Sequence, residues 1–132
     1  MKLSELIIFF GIISNSVNAS AEWIHIAAAP NFQGFADLED IEISGSERRV
    51  WVLQNYPKQQ AKGFLSVRAQ CEYDCGMNRG RVLAEYWWTE HWAKGNDITP
   101  DNTPVDQRWV YPAPGSFGDL MLKIVCAKST ER

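Results

Sequence analysis

Histidine is nearly absent from this chain, cysteine is scarce and odd in number, and positive charge never accumulates. Each shortage removes a class of function. Only two histidines, His25 and His91, occur in 132 residues. Neither stands in an H-x-x-H or C-x-x-C spacing, so no metal site is expected. A Cys71 and His91 nucleophile pair can be drawn across a hairpin, but no orienting carboxylate or oxyanion hole accompanies it, so no catalytic residue and no cofactor is assigned. The formal net charge is −3, and Arg48, Arg49, Arg79 and Arg81 read as a thin, solvated basic supply. Nucleic-acid binding, which needs clustered cations, is therefore excluded.

A long apolar run is also missing. The nearest is Leu6 to Ile13, preceded by Lys2 and followed by a polar stretch ending in Ala19-Ser20-Ala21. Its length of about eight residues falls well short of the roughly 20 that a spanning helix needs. The order of charge, apolar run and A-x-A site is that of a secretory signal peptide over residues 1–21, cut after Ala19 or Ala21. The expected product is periplasmic, secreted or displayed at the cell surface, with no stable membrane anchor after cleavage. Residues 22–132 suffice for one domain with a modest core.

An exported chain with three cysteines is read as one bridge and one odd thiol. Cys71 and Cys75 on one extended strand lie about 13 Å apart at roughly 3.3 Å per residue. A bridge requires less than about 7 Å between Cα atoms. Cys126 is thus expected to pair with one of the two.

What the chain has in plenty is aromatic side chains, six of them tryptophan. Most are expected in the core. Trp23 to Ala29 reads as a strand stopped by Pro30, with a turn over Asn31 to Gly34, and Glu47 to Tyr56 as a second strand stopped by Pro57. From Phe64 to Cys75 the residues Leu65, Val67, Ala69, Cys71 and Tyr73 alternate with Ser66, Arg68, Gln70, Glu72 and Asp74, the pattern of a half-buried antiparallel strand. Glu72 and Asp74 are then solvated face charges. After a Gly76 to Gly80 turn, Arg81 to Trp92 returns as the partner, with Val82, Ala84, Tyr86 and Trp88 on one parity. Gly95 to Asp106 reads as a long exposed loop. The last element fits strand or helix by period, and capping decides: Ser116 as N-cap with Asp119 three residues on predicts a helix from Phe117 to Ala127. Its apolar face is expected at Phe117, Leu120, Met121 and Ile124, which points Cys126 away from it.

Taken in order, Trp23, Asp37, Ile41, Val50 to Leu53, Asn55-Tyr56, Ser66-Val67, Tyr73-Asp74-Cys75, Arg79-Gly80-Arg81, Trp109, Pro114-Gly115-Ser116 and Val125-Cys126 resemble the surface-adhesin protein E-like domains of Gram-negative bacteria. The resemblance spans nearly all of residues 22–132. It implies an α+β fold: a small antiparallel β-sheet of about five to six strands, a C-terminal helix packed on one face, and a single disulfide between Cys75 and Cys126. Cys71 is then the free thiol. Closing a loop of about 50 residues contributes about 4 kcal/mol in the chain-entropy account. The family implies no catalytic residue. The eponymous adhesin is a lipoprotein, whereas no cysteine stands at the cleavage site here, so no lipid attachment is expected.

Tyr86-Trp87-Trp88-Thr89-Glu90-His91-Trp92 supplies the candidate binding surface. Consecutive aromatics on a strand point to opposite faces. If Tyr86 and Trp88 face inward, Trp87 points outward with His91, and Trp87, His91 and Trp92 form an interface anchor. The competing reading is that both faces are simply packed. The expected function is an exported, non-enzymatic binding module engaging a protein partner at the envelope or a host surface, or else a periplasmic accessory or inhibitor domain. An unpaired sheet edge leaves room for a homodimer.

Overall fold

The computed structural model describes residues 21–102 and 104–128. The signal-peptide reading falls, apart from Ala21, outside the described residues. Within them lie seven strands, β1 (Ile24–Ala28), β2 (Gln33–Ala36), β3 (Glu42–Ser44), β4 (Glu47–Asn55), β5 (Ser66–Asp74), β6 (Arg79–Glu90) and β7 (Lys94–Asp97), and one α-helix, α1 (Phe117–Cys126). The strands form one antiparallel sheet in the order β1-β2-β4-β5-β6-β7, with β3 folded back on the start of β4.

The long alternating runs become the centre of the sheet. β4 and β5 pair over their full lengths, from Glu47 opposite Asp74 to Asn55 opposite Ser66. Their helix-side residues Val50, Val52, Ala69, Cys71 and Tyr73 meet Met121, Leu122 and Val125 of α1 in a single core. Ser116 caps α1, its Oγ accepting from Asp119 N–H at 3.2 Å, while the Asp119 carboxylate accepts from Gly115 N–H at 2.9 Å. Both hydrogen bonds satisfy donors that a helix start or its lead-in would leave open.

The expected helix face is corrected. α1 buries Met121, Leu122 and Val125, a stripe rotated from the expected one, and Cys126 follows Leu122 by one turn and stands at its edge. Cys75 and Cys126 are joined from within the last turn of α1, with Cα atoms 5.6 Å apart. Cys71 is the buried free thiol.

Two further expectations change. The Asn31 to Gly34 turn runs on into strand β2, whose Gly34 lets the Phe117 ring lie against its backbone. The Gly95 to Asp106 loop begins with strand β7, fully exposed along its length. A sharp reversal makes that strand: Trp92 and Ala93 take positive φ of 65° and 57°, and Gly95 takes 84°. β6 consequently stops at Glu90 and a 3-10 turn occupies His91–Ala93.

Candidate functional site

A bulge decides which aromatics face where. Gln70 pairs with Ala84 but Cys71 pairs with Val82, so Leu83 is the extra residue on β6. An added residue reverses strand parity beyond it. Val82 therefore shares the helix side with Cys71, whereas Glu85 and Trp87, opposite Ala69 and Val67, take that side further along. Tyr86 and Trp88 fall on the other face, the reverse of the parity expected from the uninterrupted sequence. Trp87 sits against Phe64, ring centroids 4.8 Å apart, and its indole N–H donates to Glu85 Oε1 at 3.2 Å. It ends an aromatic row, Phe117, Phe32, Tyr56, Phe64 and Trp87, that runs along the helix side, where a cavity of about 540 Å³ opens between α1 and the sheet residues Val52, Val67 and Ala69.

The expected trio thus divides. His91 and Trp92 lie together and line a pocket of about 330 Å³ at the sheet end, which Trp87 does not enter. His91 Nε2–H donates to the Tyr56 carbonyl at 2.6 Å, and because a carbonyl only accepts, the proton is on Nε2. Trp92 reaches further, onto the sheet face that α1 leaves uncovered.

That face carries the larger site. Phe35, opposite Leu53, stacks edge-on with Trp92 at 4.7 Å and with His25 at 5.2 Å. Beneath them Leu53 is 0% exposed. The Arg68 guanidinium lies over Trp51, 3.8 Å from the ring centroid, with the Tyr86 centroid at 5.9 Å. Such stacking holds a cation without consuming its N–H donors. A groove of about 640 Å³ runs over this surface, walled by Trp23, Trp51, Trp88 and Trp92, with Arg68 and Asp37 facing it. Asp40 and Lys94 line it too. Trp92 is 42% exposed and Tyr86 36%. The Trp88 indole N–H is buried with no acceptor among the described residues.

Buried polar side chains hold Trp92 where it is. Asn55 Oδ1 accepts the Trp92 N–H at 2.9 Å, and Ser66 Oγ accepts the Ala93 N–H at 3.0 Å while donating to the Glu90 carbonyl at 2.6 Å. Left-handed backbone on non-glycine residues is costly and persists only where surroundings enforce it. Asn55 and Ser66, both buried, are that enforcement. Sequence reasoning missed Asn55, Ser66, Trp51 and Arg68 because a polar residue alternating with core residues looks like ordinary solvated surface. The available signal was Trp51 on a face otherwise read as polar.

The charges expected to be solvated are instead built into the sheet. Glu72 is 2% exposed and takes Arg49 at 3.0 Å and Arg81 at 2.8 Å. Burial alone raises its pKa, but the two guanidinium hydrogen bonds outweigh that and hold it below the usual glutamate value. Asp74 is likewise buried, and Arg79 with the Met77 and Gly76 N–H groups overcomes its desolvation and lowers its pKa. Arg79 and Arg81 also pack over Trp109, at 4.5 and 4.2 Å. Arg48 is buried, donating to the Gly45 and Lys128 carbonyls. Burial pushes the Cys71 thiol up to about 12, the opposite of nucleophile activation. Among the described residues no three His, Cys, Asp or Glu side chains gather as metal ligands, and no helix is long and apolar enough to cross a membrane.

Comparison with solved structures finds the same architecture in protein E of Haemophilus influenzae. One such structure superposes with a TM-score of 0.62 at 17% identity, covering 83% of this chain and 87% of the other. A second crystal form gives 0.64 at 17% identity over 83% and 91%. Protein E from a non-typeable strain gives 0.64 at 16% identity over 84% and 79%. At such identities the likeness concerns the fold. No curated protein matches the chain. The family model described as surface-adhesin protein E matches residues 23–127, which takes in every strand, α1 and both bridged cysteines, and the chain therefore belongs to the surface-adhesin protein E family.

Proposed function

We propose that this chain is an exported, non-enzymatic binding module of the adhesin kind, engaging a macromolecular partner at the cell envelope or a host surface through the sheet face opposite α1. One observation carries the reading: that face is paved with Trp51, Tyr86 and Trp92 beside the stacked Arg68, and no helix packs on it, whereas α1 and the Phe117 to Trp87 row cover part of its counterpart. Large rings left in partial contact with water, beside a cation held by stacking, are the composition of interface hot spots. Family membership supports the same direction. Trp92 is the anchor in this reading, His91 borders it, and Trp87 belongs to the packed side.

Capture on immobilised host-cell and envelope proteins tests the face. Trp92→Ala is expected to lower capture at least about tenfold, the scale of a central aromatic anchor, with far-UV circular dichroism unchanged. Equal capture by the variant removes the face from the proposal. Protease treatment of intact cells tests the location: digestion supports display, and protection until the outer membrane is opened favours an envelope partner inside.

A further inference from the structure

We infer that the groove over the open sheet face is a glycan site, taking a short chain of uncharged pyranose rings across Trp23, Trp88 and Trp92. This rests on the reading of that face as the binding surface and specifies its ligand. Three properties of the groove select the chemistry. Its floor is the face of a sheet, where the backbone N–H and C=O groups are already spent in strand pairing. A peptide seated there finds no backbone ladder to join, so recognition depends on side chains alone.

Those side chains are flat rings interleaved with both kinds of hydrogen-bonding group. Indole faces suit the C–H faces of sugar rings, which are apolar on one side and ringed by hydroxyls. Asp37 and Asp40 accept hydrogen bonds from hydroxyls, whereas Arg68 and Lys94 donate to them. Among the described residues Arg68 has no carboxylate within ion-pair distance, and its guanidinium lies over the Trp51 ring. Two carboxylates against two cations leave the groove without net charge, so neither a sulfated polyanion nor a cationic segment is favoured.

The strained turn supplies the positioning. Asn55 and Ser66 lock Trp92 and Ala93 in left-handed backbone and set the Trp92 ring at the mouth of the groove, a site fixed before any ligand arrives. A preset aromatic platform lowers the ordering cost of a weakly held, flexible oligosaccharide.

The test uses the exported chain, with neutral tetrasaccharides of β-linked glucose, galactose and N-acetylglucosamine as probes and heparin as the polyanion control. Tryptophan fluorescence and titration calorimetry read the binding. At least one neutral probe is expected to bind, with heparin no tighter, and both Trp92→Ala and Arg68→Gln are expected to weaken that binding about tenfold or more. Failure of every neutral probe at millimolar concentration, or binding indifferent to both variants, overturns the inference. A parallel arm captures host glycoproteins before and after periodate oxidation of their sugars. Loss of capture after periodate supports the glycan site. Undiminished capture that still requires Trp92 overturns it while the broader binding reading stands, and absence of both sugar binding and capture defeats the two together.

Discussion

Single residues hold the main steric and chemical constraints of this molecule. A Cβ added to Gly34 overlaps the Phe117 ring, so the ring must give up its edge-on contact with Phe32 and its packing against the core to make room. Gly34→Ala is therefore expected to destabilise by about 1–3 kcal/mol through forced repacking, read as a lower urea midpoint at unchanged slope. Cys71 offers a second check. With its thiol buried and its pKa pushed up to about 12, it is expected to stay unlabelled by iodoacetamide at pH 8 in native protein and to label stoichiometrically in denaturant. Native labelling at the rate of a free thiol contradicts its placement beside Tyr73. Nothing near Cys71 in the sequence distinguishes it from Cys75: strand geometry set aside only a bridge between the two, and the family pattern alone chose Cys75.

At the scale of elements, β4, β5 and α1 could be read directly, because alternation over nine residues and a Ser116-to-Asp119 cap are strong local signals. β7 could not. Its residues, Lys94-Gly95-Asn96-Asp97, are poor strand formers, and the strand exists because the turn before it is forced left-handed by Asn55 and Ser66 from across the sheet. Asn55→Ala is accordingly expected to cost about 1–3 kcal/mol, the penalty for leaving the Trp92 N–H unpaired, and to loosen β7, seen as faster amide exchange over 94–97. The bulge at Leu83 was equally invisible, since no glycine or proline marks it, yet it alone moves Trp87 to the helix side. The carboxylates bound into the sheet predict a pH response. Glu72 and Asp74 have folded pKa values below their ordinary ones, so their stabilisation is complete above about pH 5 and is lost as pH falls through the folded values. The urea midpoint is expected to hold from neutrality to about pH 5 and then drop, and Glu72→Gln to start lower at neutral pH with a shallower acid loss. A midpoint that rises on acidification contradicts the ion-pair assignment.

For the molecule as a whole, the disulfide and the two faces of the sheet divide the work. The bridge between Cys75 and Cys126 ties the end of α1 to the end of β5 over a separation of 51 residues, and removing it by a Cys75→Ser, Cys126→Ser double change is expected to cost about 4 kcal/mol. The helix then stays docked by Met121, Leu122 and Val125, with Phe117 packed beside them, all on one face of the sheet. The other face, free of helix, is the one proposed for recognition. Hydroxyl-radical footprinting of the chain alone and bound to a captured partner tests that division most directly. The expected result is protection of Trp92, Tyr86 and Trp51 on binding, with Phe64 and Trp87 unchanged. Protection confined to Phe64 and Trp87, with Trp92 as reactive as in the free chain, contradicts it.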